Sequence, residues 1–106
     1  MAEEWGYLVI WQFRPRPEWE RHFERTYGPD GSWARLFAKG EGFVRTELNR
    51  DLKDSGRYLT FDYWTSKDAY KAFRAKHAAE YAAIDSECEA LTLEETSLGE
   101  FSRVTG

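Results

Sequence analysis

"YLTFDYWTSKDAYKAF" (residues 58–73) changes its apolar period halfway along. Its first seven residues alternate as a strand does. Tyr58, Thr60, Asp62 and Trp64 fall on one face and Leu59, Phe61 and Tyr63 on the other, because successive side chains of a pleated strand point opposite ways. Thr65 to Asp68 then reads as a capping box, so a helix begins near Ser66. Beyond it Tyr70, Phe73, His77, Tyr81, Ile84, Cys88 and Leu91 recur in steps of three and four. That spacing predicts one long amphipathic helix, bent near its middle.

Upstream, "FVRTELNRD" (43–51) reads as the preceding strand, and Asp54-Ser55-Gly56 supplies the hairpin turn. "WGYLVIWQFR" (5–14) reads as the first strand, ended by Pro15 and Pro17; Pro17 also suits a first helical turn, where its missing N–H costs nothing. In "EWERHFERTY" (18–27), Trp19, Phe23, Thr26 and Tyr27 fall at helical spacing and predict an inner face. Gly28-Pro29-Asp30-Gly31 fits a type I turn. Asp30 or Ser32 then caps a second short helix, with Trp33, Leu36 and Phe37 inward and Gly40 and Gly42 at its end. The last strand is read at "ETSLGEFSRV" (95–104), with Gly99 as a bulge.

The order β-α-β-β-α-β predicts an α+β, ferredoxin-like fold. One four-stranded antiparallel sheet carries the helices on one face, and residues 1–106 form one domain. The second sheet face is also apolar and needs a cover, for which a second copy of the chain is expected.

The 106 residues include five Trp, six Tyr and seven Phe, yet 32% are charged. Few but bulky apolar groups in a polar background can build a core, line a pocket or form an interface. The net charge of −4 argues against a nucleic-acid partner. "KGEGFVRT" (39–46) nearly matches an RNA-recognition signature, but Glu41 and Thr46 stand where stacking rings belong. Gly28 and Gly31 are not a phosphate loop, since no Lys-Ser/Thr follows. One cysteine, Cys88, allows no disulfide within the chain. No signal peptide or apolar run of about 20 residues is found, so a cytoplasmic location without a membrane partner is expected.

Candidate chemistry is sparse. Glu18/His22 and His77/Glu80 each offer only two metal ligands, so no metal is expected. His77, on the apolar stripe between Phe73 and Tyr81, reads either as a partly buried histidine with one hydrogen bond or as a proton acceptor or hydrogen-bond donor in a pocket. Asp62, in phase with Thr60 and Trp64, must be paired or must work. An ion pair with Arg45 or another strand arginine is the first reading and a general base the second. Trp64, Tyr70 and Phe73 cluster at the strand-to-helix junction, as core or as a pocket for a flat apolar ligand.

"GFVRTELNRDLKDSGRYLTFDYWTSKDAYKAF" (42–73), with "FRPRP" (13–17), resembles the antibiotic biosynthesis monooxygenase family. The resemblance implies a homodimer whose sheets pack into a dimeric α+β barrel, with a cavity in each subunit between sheet and helices. Family members that oxidise phenolic polyketides use dioxygen without metal or flavin. Their pocket has a Trp at the end of the third strand and a Tyr six residues later, matched by Trp64 and Tyr70. Thr60 stands where they have Asn, and "AEYAAID" (79–85) offers no counterpart for a helical Arg. The haem-degrading branch has a His and a Trp where this chain has Asp85 and Phe73, so no haem is expected. The implied function is a cofactor-independent monooxygenase acting on a small aromatic or polyketide-like substrate. His77 and Asp62 are its candidate catalytic residues, with Gln12 as a possible substitute. Trp64, Tyr70, Thr60, Phe73, Tyr81 and Trp33 are its candidate substrate contacts, with Tyr27 and Phe37 as further wall. The alternatives are a non-catalytic homodimer that binds a small apolar ligand, and a cavity filled by the protein's own rings.

Overall fold

The computed structural model describes residues 4–105. Its single sheet runs β2 (Phe43–Arg50), β3 (Tyr58–Trp64), β1 (Tyr7–Pro15), β4 (Thr92–Ser102), with every neighbouring pair antiparallel. Between β1 and β2 lie α1 (Glu20–Tyr27) and α2 (Ser32–Phe37); between β3 and β4 lie α3 (Lys67–Lys76) and α4 (Ala78–Cys88). This is the ferredoxin-like α+β arrangement, with each crossover helix divided in two.

Register decides which side chains meet the helices. Tyr7, Val9, Trp11 and Phe13 of β1 stand beside Trp64, Asp62, Thr60 and Tyr58 of β3. These rows face inward, where Phe23, Tyr27, Trp33, Leu36, Phe37, Phe73 and Leu91 close over them. Trp64 is fully buried. Its ring lies 5.1–5.8 Å from those of Phe37, Phe43, Tyr70 and Phe73. Leu8, Ile10, Leu59, Phe61, Tyr63 and Phe101 share the opposite face. Its apolar surface is partly open, Phe101 being 44% exposed.

The turn in "YGPDGSW" (27–33) is structural. The Gly31 N–H donates to the Gly28 carbonyl at 3.0 Å. A Cβ on Gly31 would sit 2.3 Å from the carbonyl oxygens of Arg25 and Thr26, so only glycine lets the chain fold back this tightly. Ser66 caps α3 as expected, accepting the Ala69 N–H at 3.0 Å. The hairpin turn forms as well, with the Arg57 N–H donating to the Asp54 carbonyl at 2.9 Å. Gly99 has φ +127, and Leu98 is the extra residue of a bulge, because Ile10 pairs with Gly99 and Trp11 with Ser97.

Four expectations are corrected. Trp19 is 49% exposed. Pro17–Trp19 form a 3-10 turn, whose three-residue period rotates Trp19 off the face shared by Phe23 and Tyr27. Neither Asp30 nor Ser32 caps α2; its cap position is Gly31, with no side-chain bond. Instead Arg35 holds the turn, its Nη1 donating to the Asp30 carbonyl at 2.8 Å. The long helix is broken at His77 (φ −112, ψ 28) into α3 and α4. β4 begins at Thr92, because Pro15 pairs there and the Arg16 N–H donates to the Leu91 carbonyl at 2.9 Å. Among the described residues no helix is long and apolar enough to cross a membrane.

The exposure difference between Phe23 and Trp19 is measurable. Phe23→Ala is expected to cost about 3–5 kcal/mol in urea denaturation, the usual loss for a buried aromatic. Trp19→Ala should cost well under half of that. Equal losses would return Trp19 to the core.

Candidate functional site

A small cavity lies between sheet and helices. Trp11, Phe13, Thr46, Thr60, Asp62 and Glu95 come from the sheet; Tyr27, Trp33, Phe37, Tyr81 and Asp85 come from the helices. Its volume is about 40 Å³. That is room for a few waters, so a phenolic ring enters only when a wall side chain moves. Trp11 and Tyr81 are the half-buried rings of the wall.

Asp62 is the unusual member. It is 92% buried, counting from its 8% exposure. Its Oδ1 accepts the Thr46 hydroxyl at 2.7 Å. The pairing is a matter of register, since Thr46 of β2 stands opposite Asp62 of β3. The expected ion pair with Arg45 does not form. Arg45 stands opposite Tyr63, on the other face; its Nε donates to Glu47 at 3.0 Å and its guanidinium lies 4.1 Å over the Tyr63 ring. Burial therefore pushes the Asp62 carboxyl up to about 7, and the Thr46 hydrogen bond offsets only part of this. Near neutral pH the group exists in both forms, as a proton carrier must.

The surrounding phenols are held protonated. Burial, followed by Tyr70, pushes Tyr81 up, with Asp85 and Asp62 adding to the shift against the pull of Arg74. Burial is also the leading cause at Tyr27, with Cys88 next. Glu95, though exposed, is raised by partial desolvation, then by Asp85 and Glu89.

The structure divides the sequence-derived candidates. Asp62, Thr60, Trp33 and Tyr81 line the cavity, as do Tyr27 and Phe37. Trp64, Tyr70 and Phe73 do not; they form the ring stack at the strand-to-helix junction. His77 is not a lining residue either. Its ring packs 5.3 Å from Phe73, its Nδ1 lies 2.7 Å from Glu80 Oε1, and its Nε2 is buried with no partner among the described residues. Glu80 is in turn bound by Lys39 at 2.5 Å. Gln12 faces the other way and accepts the Arg57 Nε at 2.7 Å. Trp11, Phe13, Thr46, Asp85 and Glu95 are lining residues that the sequence reading missed. Asp85 follows Tyr81 by four residues, a helical step that was legible; Thr46 required the strand register. Among the described residues no group of three or more His, Cys, Asp or Glu is placed to hold a metal ion.

These features define a class: a ferredoxin-like α+β protein with an aromatic, acid-bearing hollow between its sheet and its helices. The chain belongs to the antibiotic biosynthesis monooxygenase family, whose model matches residues 6–83. Solved structures share the fold. SnoaB, a cofactor-independent oxygenase from Streptomyces nogalater, seen as a point mutant, is 24% identical with TM-score 0.70 over 95% of each chain. A Pseudomonas aeruginosa protein is 16% identical with TM-score 0.67, covering 99% of this chain and 100% of its own. A conserved protein from Methanosarcina mazei is 15% identical with TM-score 0.64 over 94% of each chain. No curated protein sequence matches the chain.

The raised Asp62 carboxyl has a stability consequence. Its usual value is 3.8 and its folded value about 7. Below 3.8 both states hold the proton and there is no penalty. Between 3.8 and about 7 the unfolded chain ionises first, so the native protein loses stability as pH rises. Asp62→Asn removes this penalty. The stability of the variant minus that of the wild type, measured by urea denaturation, should therefore climb across that window and level off above it. A difference independent of pH would mean an ordinary carboxyl.

Proposed function

We propose that this protein is a cytoplasmic, homodimeric, cofactor-independent monooxygenase acting on a small phenolic or polyketide-like aromatic. The observation that carries the reading is Asp62: a buried carboxyl in the wall of an aromatic cavity, with no cationic partner among the described residues. Family membership supports the reaction class, and SnoaB, which shares the fold, is a cofactor-independent oxygenase. A single buried thiol, Cys88, suits a reducing compartment.

The chemistry follows from the residues present. The Asp62 carboxylate takes the acidic proton of a phenol-activated CH₂ group. The resulting anion gives electrons to dioxygen and a carbon–oxygen bond forms. The peroxide takes back the proton and breaks its O–O bond, leaving a carbonyl and one water. In sum, CH₂ and O₂ become C=O and H₂O: the carbon is oxidised, dioxygen is reduced, and Asp62 is restored. The rings of Trp33, Phe37 and Tyr81 limit water, so the anion is less exposed to competing protonation. Thr60, beside Asp62 on the same strand face, is within the wall that contacts the substrate.

A second reading is a binding protein without turnover. It is favoured by Thr60 at the position where the family's oxygenases have Asn, and by the small volume of the cavity. Oxygen consumption with a panel of anthrones and hydroquinones separates the two. As an oxygenase, the wild type consumes oxygen on at least one, faster as pH rises through about 7, where Asp62 ionises. Asp62→Asn then lowers kcat by roughly 10²–10⁴-fold, the usual worth of a positioned acid–base group, and His77→Ala leaves it nearly unchanged. No uptake on any substrate, with binding retained, would establish the second reading.

The homodimer is argued from the apolar sheet face of Ile10, Leu59, Phe61 and Phe101. Sedimentation should give twice the chain mass for the wild type and one chain mass for Phe61→Glu. A wild-type monomer would remove the dimer.

A further inference from the structure

The cavity wall carries three carboxylates, Asp62, Asp85 and Glu95, and neither lysine nor arginine. Asp85 and Glu95 are exposed lining residues, which places them at the mouth, whereas Asp62 is buried. Among the described residues neither Asp85 nor Glu95 has an ion-pair partner. The cation that senses Asp85 is Arg74, which is already engaged. It lies 3.8 Å over the Tyr81 ring, and its Nη1 donates to the Tyr70 hydroxyl at 3.0 Å.

One further observation points to a ligand. Asp62 uses one hydrogen bond, although a carboxylate accepts about four. It calls for a donor, and a phenolic hydroxyl supplies one. The Trp33 indole of the wall is turned instead toward the Tyr27 hydroxyl and the Cys88 thiol. The half-buried ring of Trp11 adds a π face, which attracts cations, as Tyr81 already does with Arg74. Carboxylates with aromatic faces and no basic residue favour a positive ligand and repel a negative one.

We propose that the cavity selects its ligand by charge: it takes a phenolic aromatic bearing a protonated amine, with the ammonium at the mouth beside Asp85 and Glu95, and rejects the carboxylated analogue. The proposal rests on the cavity being the ligand site of the reading above.

Three catechols of similar shape test it: dopamine (+1), 4-ethylcatechol (0) and 3-(3,4-dihydroxyphenyl)propionate (−1). Their Kd values are measured by calorimetry under anaerobic conditions at low and high salt. Dopamine is expected to bind about tenfold more tightly than 4-ethylcatechol at low salt, as befits two partly solvated opposite charges. The propionate should bind most weakly, and the spread should shrink as salt rises. The double variant Asp85→Asn/Glu95→Gln, with its fold checked by circular dichroism, should bring dopamine and the propionate within about threefold of each other. Equal Kd values for dopamine and the propionate, no binding of dopamine, or an unchanged spread in the double variant would each overturn the charge rule. Oxygen uptake separates this outcome from the reaction itself. The expected order of binding with no uptake on any anthrone or hydroquinone of the panel would leave charge selection standing and sink the oxygenase. Uptake on one of that panel beside equal Kd values for dopamine and the propionate would do the reverse.

Discussion

A carboxyl group buried under helices with one hydroxyl for company is the constraint around which this molecule is arranged. Asp62 sits on a central strand, on the face that must be apolar if the helices are to pack. Burial of an unpaired carboxylate costs several kcal/mol, so a chain under no other demand would place an aliphatic residue there. The surroundings limit the cost without removing it. Thr46 donates one hydrogen bond, and a small space remains where full packing would otherwise reach. The ring stack of Trp64, Phe37, Phe43, Tyr70 and Phe73 then carries the hydrophobic load at one end of the sheet. The stack of Phe13, Phe23, Tyr27 and Tyr58 carries it at the other. The hollow lies between two packed ends.

The fold was legible because its signals were local. The change of period at Trp64, the cap at Ser66 and the glycine turn at 28–31 each specify geometry within a few residues. The errors were local as well. A 3-10 turn shifts the phase of Trp19 by a fraction of a turn, and no residue type announces it. The break at His77 interrupts a stripe whose spacing is intact on both sides. The start of β4 at Thr92 depends on Pro15 and Arg16, which lie far away in the chain.

The site was less legible, for a physical reason. Asp62, Thr60, Trp33 and Tyr81 could be found because strand alternation or helical spacing points them inward. Whether an inward residue meets a hollow or a packed ring depends on how the elements cross, which one chain's periodicity does not encode. Trp64 and Tyr70 have the right identity and direction yet meet other rings. Thr46 and Glu95 depend on register against neighbouring strands. The partner of Asp62 was misassigned by one residue, and one step along a strand is a change of face.

The interruption at His77 has an architectural effect. Helical bonding resumes at once on either side: the His77 N–H donates to the Phe73 carbonyl and the Tyr81 N–H to the His77 carbonyl, both at 2.9 Å. The junction is therefore a crease, with no loop between the halves. Tyr81 and Asp85 hang from the second half, while the floor beneath them is fixed by strand pairing. Substitutions near the crease can change the pitch of that ceiling, and so the shape of the hollow, without disturbing a single rung of the sheet.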